Sequence, residues 1–182
     1  MSDRDVSVVL DVGMGSGISI GFTFVLWYYS CVSGSESLRE IQGTEKVFMK
    51  FMKTHVFIEC IKNVIKYIDS DIDICFPNIV LKFEDDLFKE NGQLFEKQPD
   101  AIFFNNAQIE NIRLHNSIRK VNPMYLLTIR TENFNFGGKL NLFVELRNAN
   151  YHQTALFHKG ANFQPSEVVV LKRFDSDFHK QY

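Results

Sequence analysis

Three glycines set two apart, Gly13, Gly15 and Gly17, follow directly on the apolar run Val6-Ser7-Val8-Val9-Leu10-Asp11-Val12. That order reads as a first strand, buried on both faces of a parallel sheet, entering a tight turn where backbone and a small ligand approach closely. The spacing narrows the ligand. A dinucleotide pyrophosphate is seated by Gly-x-Gly-x-x-Gly, and Ile18 stands where the third glycine would be. There is no Gly-x-x-x-x-Gly-Lys-Ser/Thr stretch either, so a nucleoside without phosphates fits better. Glu45, at the end of the second strand, can accept hydrogen bonds from two ribose hydroxyls, and Asp85 or Asp86 from an adenine amino group. Each carboxylate taken alone is as readily an ordinary solvent-facing group. The coincidence is what speaks for a site: Asp11 to Gly17, Gly43 to Glu45, Glu84 to Asp86 and Asn105-Asn106 are all polar endings on apolar strands. An open α/β sheet binds its ligand beyond such strand ends.

The elements that must position these residues follow from periodicity. Ile18 to Ser30 carries no charge and is rich in β-branched and aromatic residues, a composition that suits a helix buried against a sheet. The small polar run from Ser30 to Ser37 reads as the loop or frayed end after that helix, and Leu38 to Gly43 as a short second strand. Thr44 to Tyr67 has the clearest helical pattern. Val47, Phe51, Val56, Ile58, Ile61, Val64 and Ile65 supply its apolar faces, and Lys46, Lys50, Lys53, Lys62 and Lys66 a solvated one. Further strands are expected over Asn78 to Phe83, Asp100 to Asn106, Met124 to Ile129, Leu140 to Leu146 and Val168 to Arg173. Leu87 to Lys97 reads as loop with some helix, and Ile109 to Val121 as a helix stopped by Pro123. A loop carrying Tyr151, His152, His158 and Gly160 separates the last two strands. The pattern specifies an α/β, Rossmann-like architecture in one domain spanning 1–182. Its seven-stranded sheet is mostly parallel, with helices on both faces and one antiparallel strand near the C-terminal edge.

Composition bounds the function. A chain of 182 residues with 45% hydrophobic residues can build a core without disulfides or metal, and a net charge of −2 gives no global signature for nucleic acid. Cys31, Cys60 and Cys75 form no paired motif, which points to a reducing, intracellular compartment, nucleus or cytoplasm. Ile18 to Val32 is too short for a membrane span and follows an acidic N-terminus, so no membrane association is expected. His152 and His158 lack ligand spacing, so no metal site is expected, and Ser16 sits in no nucleophile elbow. Lys172, Arg173, His179 and Lys180 read as a solvated tail. Phe22, Phe24, Trp27, Tyr28 and Tyr29 favour core packing over a surface for a partner or a second copy.

The run Val9-Leu10-Asp11-Val12-Gly13-Met14-Gly15-Ser16-Gly17 resembles the first motif of class I S-adenosylmethionine-dependent methyltransferases. Gly43-Thr44-Glu45-Lys46, Val80 to Leu87 and Ile102-Phe103-Phe104-Asn105-Asn106 are similar, in order and approximate spacing, to the Dot1-type histone-lysine methyltransferases. The resemblance implies S-adenosylmethionine as cofactor, with Asp11, Gly13, Gly15 and Gly17 at its amino-acid end. It implies Glu45 on the ribose, Asp85 with Asp86 on the adenine, and Asn105 with Asn106 beside the transferred methyl. The acceptor it implies is a protein lysine, a histone among the candidates; a nucleic-acid base on the same fold is the alternative. Ala107-Gln108 stand where the family places aromatic residues, and five residues precede the first strand. Those departures motivate a further alternative, a binding or scaffolding subunit of this fold without turnover.

Overall fold

A computed structural model describes residues 6–15, 17–33, 38–71, 76–84, 88–89, 92–93, 95–104, 112–131, 150–158 and 166–174. The chain divides into two compact units, Met1–Asp100 and Ala101–Tyr182. Seven of its strands make a mixed, mostly parallel sheet of the expected α/β, Rossmann-like class.

The first unit runs β1 (Val8–Val12), α1 (Ile18–Ser33), β2 (Glu40–Glu45), α2 (Phe48–Ile68) and β3 (Asn78–Phe83). β2 lies between β1 and β3, parallel to both. The second unit contains β6 (Ala101–Phe104), α3 (Ile112–Val121), β7 (Tyr125–Thr131), β8 (Tyr151–His158) and β9 (Ser166–Arg173), with its strands in the order β6-β7-β9-β8. β6 and β7 are parallel, and β9 runs against both β7 and β8. β9 is therefore the one reversed strand, next to the edge strand β8.

β2 carries the most demanding burial. Every residue of Glu40-Ile41-Gln42-Gly43-Thr44-Glu45 is buried, although only Ile41 is a large apolar residue. Ile41 points to a core formed with Met14, Ile20, Phe24 and Trp27 from the first motif and α1, and with Ile58 and Ile65 from α2. The alternate residues Glu40 and Gln42 pair through the Gln42 amide nitrogen instead, while Gln42 Oε1 is buried without a hydrogen-bond partner among the described residues. The Gln42 amide nitrogen donates to Glu40 Oε1 at 2.9 Å and to the carbonyl of Lys97 at 2.8 Å, and Lys97 Nζ lies 3.4 Å from Glu40 Oε2. A buried polar strand is tolerated when its side chains are paired in this way. Such a strand gives little apolar signal, and the expected second strand, Leu38 to Gly43, is offset by two residues from the observed one.

Several other expectations are corrected. α1 extends through Ser33, taking in the first four residues of the run expected as the loop or frayed end of that helix, while Phe24 and Trp27 have the core burial expected of them. Phe76 stacks on Trp27 at 5.0 Å between ring centroids, extending that core to the segment before β3. Among the described residues no helix is long and apolar enough to cross a membrane. Thr44 and Glu45 end β2 rather than opening the helix, which begins at Phe48. Val56 and Val64, counted among the apolar faces of this helix, are 64% and 58% exposed. Loop with helix was expected over Leu87 to Lys97, and that stretch contains a small antiparallel pair, β4 (Phe88–Lys89) with β5 (Gly92–Gln93). The strand expected over Leu140 to Leu146 lies outside the described residues. Tyr151, His152 and His158, expected in a loop, belong to β8, whose pairing with β9 includes a register shift between Gln153 and Ala155.

Gly43 is closely packed within the sheet. A Cβ there would come within 2.5 Å of Met14 Sδ, 2.8 Å of Ile20 Cδ1 and 2.9 Å of Leu81 Cδ2. Met14 and Ile20 are buried and Leu81 is partly buried, so the three cannot all withdraw. Gly43→Ala is expected to destabilise the protein by about 1–3 kcal/mol, the usual cost of overpacking, read as a lowered midpoint in urea unfolding.

Candidate functional site

The first motif lies within the first unit, and its loop is fixed by backbone geometry that the sequence dictates. Gly13, Gly15 and Gly17 have φ of 65°, 60° and 87°. All three occupy the left-handed region that only glycine enters freely. The alternate glycines are therefore required by the path of the chain between β1 and α1.

Among the described residues, four hydrogen bonds hold this loop to the neighbouring elements. The Met14 N–H donates to the Thr44 carbonyl at 2.9 Å, and the Gly13 N–H to Thr44 Oγ1 at 3.3 Å. The Gly15 N–H donates to Glu45 Oε2 at 2.8 Å, and the Gly15 carbonyl accepts from Thr54 Oγ1 of α2 at 3.1 Å. Within the loop, the Gly17 N–H closes a turn onto the Met14 carbonyl at 3.0 Å. α1 then starts with the Gly21 N–H donating to Gly17.

Glu45 does more than end a strand. Its Oε1 accepts from the backbone N–H groups of Lys46 at 3.0 Å and Val47 at 2.9 Å, just ahead of α2, while Oε2 takes Gly15. A carboxylate offers about four acceptor sites, so three are occupied by backbone donors and roughly one remains on Oε2. The reading in which Glu45 accepts from two ribose hydroxyls therefore requires a ligand to replace the Gly15 bond. The carboxylate also stands at a helix N-terminus, where negative charge is favoured.

The structure brings five of the expected residues into one place: Asp11, buried on β1 in register with Gly43, then Gly13, Gly15, Gly17 and Glu45. Asp85, Asp86, Asn105 and Asn106 lie outside the described residues. Thr44 and Thr54 are partners that the sequence did not single out. Thr54 sits in a helical pattern like any other position, and only its complete burial and its bond to Gly15 mark it. Phe83, the register partner of Glu45, is a further one; its ring lies 5.8 Å from that of Phe48 and 5.7 Å from that of Phe51. Alternation along β3 signals its face, but not that it meets α2.

The three glycines are not equivalent. Among the described residues a Cβ on Gly15 would meet nothing within 4 Å, so the loop is open to them there. One on Gly17 would lie 3.0 Å from Thr54 Cγ2 and 3.2 Å from its Cα, because α2 passes directly beneath. Gly15→Ala should cost only the left-handed backbone penalty, about 1–2 kcal/mol. Gly17→Ala should add an overpacking cost of about 1–3 kcal/mol, and denaturant unfolding of the two variants measures the difference.

Neither a family model nor a curated protein sequence matches this chain. Solved structures do. The Bacillus subtilis m1A22 tRNA methyltransferase TrmK aligns at TM-score 0.54 and 14% identity, over 96% of this chain and 63% of its own. Magnesium protoporphyrin IX methyltransferase (ChlM) from Synechocystis PCC 6803, with bound S-adenosylmethionine, aligns at 0.53 and 9% identity, over 94% and 72%. Ribosomal protein L11 methylase from Lactobacillus delbrueckii subsp. bulgaricus aligns at 0.52 and 11% identity, over 95% and 73%. The chain thus spans 63% to 73% of the length of these structures. At such low identity the likeness speaks for architecture: the chain has the fold of S-adenosylmethionine-dependent methyltransferases, with the glycine loop following its first strand.

Proposed function

We propose that this protein binds S-adenosylmethionine over the Gly13–Gly17 loop and transfers its methyl group to an acceptor. The observation that carries the reading is the open space above Gly15, in a left-handed loop whose N–H is held by the buried carboxylate of Glu45. A backbone that offers no side chain at its apex lets a ligand approach closely. One ribose hydroxyl would meet the remaining acceptor site of a carboxylate already oriented by Lys46 and Val47, and a second would replace the Gly15 N–H on Oε2. The residues present therefore fit the cofactor. Solved structures of the same fold hold S-adenosylmethionine or S-adenosylhomocysteine, which agrees.

In this reading Gly13 and Gly15 seat the amino-acid end, with Asp11 fixing the end of β1 beneath them. Glu45 accepts from the ribose, and Asp85 with Asp86 from the adenine amino group. When bound, the sulfonium supplies an electrophilic methyl group for an in-line displacement. The protein's part is alignment and exclusion of water. Asn105 and Asn106 are the residues proposed to orient the accepting nitrogen through their amide oxygens. An ammonium has no lone pair, so a lysine acceptor must lose its proton before transfer.

The resemblance of Gly43 to Lys46 and of Ile102 to Asn106 to Dot1-type enzymes favours a protein lysine, histones included. A nucleic-acid base is the second reading, supported by the alignment with a tRNA methyltransferase. Calorimetric titration tests the common step. S-adenosylmethionine should bind, and Asp11→Ala and Glu45→Ala should each weaken it by roughly tenfold or more, the equivalent of losing one charge-assisted contact. Gly15→Ala should weaken binding while the protein stays folded. No binding at millimolar cofactor, or unchanged affinity in all three variants, would refute the reading. Radiolabelled transfer to nucleosomes, free histones and RNA then separates the acceptors; binding without transfer to any of them would indicate a scaffold of this fold.

A further inference from the structure

We infer that Thr54 of α2 is a positioning residue for the cofactor loop: its hydroxyl, acting through the Gly15 carbonyl, keeps the loop in its binding conformation when a nucleoside ligand takes over the Glu45 carboxylate. The inference rests on the proposed cofactor site. Gly15 is clamped from both sides. Its N–H donates to Glu45 Oε2 at 2.8 Å, and its carbonyl accepts from Thr54 Oγ1 at 3.1 Å. The two groups belong to successive peptide planes, so together they fix both backbone angles of a glycine that sits at φ 60°. Nothing within the residue would do so, because glycine adopts positive and negative φ about equally readily.

Ligand binding treats the two clamps differently. Glu45 Oε1 is occupied by the N–H groups of Lys46 and Val47, so a ribose with two hydroxyls on this carboxylate must replace the Gly15 N–H on Oε2. Thr54 is fully buried, so neither solvent nor ligand competes for its hydroxyl. That hydroxyl has one proton and lies 3.0 Å from the Lys50 carbonyl as well. The Lys50 carbonyl stands four residues before Thr54, where the helix ladder supplies it with a backbone N–H, which leaves the hydroxyl proton to Gly15. The Thr54 backbone passes under Gly17, where an added Cβ would come within 3.2 Å of its Cα, so the hydroxyl is delivered from a fixed distance. In the free protein the two restraints on Gly15 are redundant; once a ligand has displaced the first, the bond from Thr54 is the one of the two that remains. Loss of the hydroxyl therefore harms the bound state more than the free state, and affinity falls by that difference.

Two substitutions separate the hydroxyl from the packing. Thr54→Val removes the hydroxyl and keeps the branched shape, whereas Thr54→Ser keeps the hydroxyl and removes the methyl that lies beneath Gly17. The full chain is titrated calorimetrically with S-adenosylmethionine, well below the melting temperature of every variant. Thr54→Val should bind roughly fivefold more weakly, the equivalent of one neutral hydrogen bond, and Thr54→Ser within about twofold of the unaltered chain. Ile58→Val, on the same buried face of α2 and without a polar group, should lower the melting temperature and leave affinity unchanged. Hydrogen exchange at the Gly17 N–H, which closes the turn onto Met14, carries the signature of positioning: faster in Thr54→Val than in the unaltered chain with cofactor bound, and equal without it. Equal acceleration in both states would mark a packing defect and overturn the inference. So would unchanged affinity in Thr54→Val, or an equal loss in Thr54→Ser or Ile58→Val. An unaltered chain that binds no S-adenosylmethionine at millimolar concentration refutes the cofactor reading and this inference with it; the other contrary outcomes overturn the inference alone.

Discussion

The carboxylate of Glu45 ties together the three elements on which the candidate site depends. It ends β2, accepts from Gly15 at the apex of the loop after β1, and accepts from Lys46 and Val47 at the start of α2. The residue is almost fully buried, and a buried ionised group is tolerated only when hydrogen-bonded. Here backbone donors perform that service, and in return the loop acquires a fixed position. Thr54 completes the arrangement from α2, bonding the Gly15 carbonyl while its backbone lies under Gly17.

From that constraint the rest of the first unit follows. The left-handed glycines let the loop turn within reach of Glu45, and the turn delivers Ile20, Phe24 and Trp27 of α1 onto Ile41 of β2. Gly43 leaves room for Met14 and Ile20 to pack on the sheet. Its neighbour across the ladder, Asp11, is thereby carried to the end of β1 beside the loop. The polar face of β2, closed by Glu40, Gln42 and Lys97, lets a strand with one large apolar residue sit between two others.

Much of this is legible in the sequence, for physical reasons that vary by element. β1 and the glycine turn are readable because a doubly buried strand must be continuously apolar and left-handed turns require glycine. β3 is readable from alternation, and its bounds agree. β2 is poorly legible because its burial is sustained by side-chain pairs distant in sequence, such as Gln42 with Lys97, which periodicity does not encode. α2 misleads in another way: its helical pattern is genuine, but a helix with two apolar faces does not declare which one is inside. Val56 and Val64 read as part of its apolar faces and are exposed. β8 is hidden by the polar residues His152 and Gln153 at its start and by the register shift after them. In the site, Asp11, the glycines and Glu45 are visible as strand endings. Thr54 is not, because its role depends on packing between elements.

The central claim is that a nucleoside cofactor sits against the Gly15–Glu45 contact. Amide chemical shifts during titration of the full chain with S-adenosylmethionine test it most directly. The account expects the Gly13 and Gly15 N–H signals to move in a saturable way, together with those of Lys46 and Val47, whose donors share the Glu45 carboxylate. Saturable shifts confined to other parts of the chain, or none at millimolar cofactor, would contradict it.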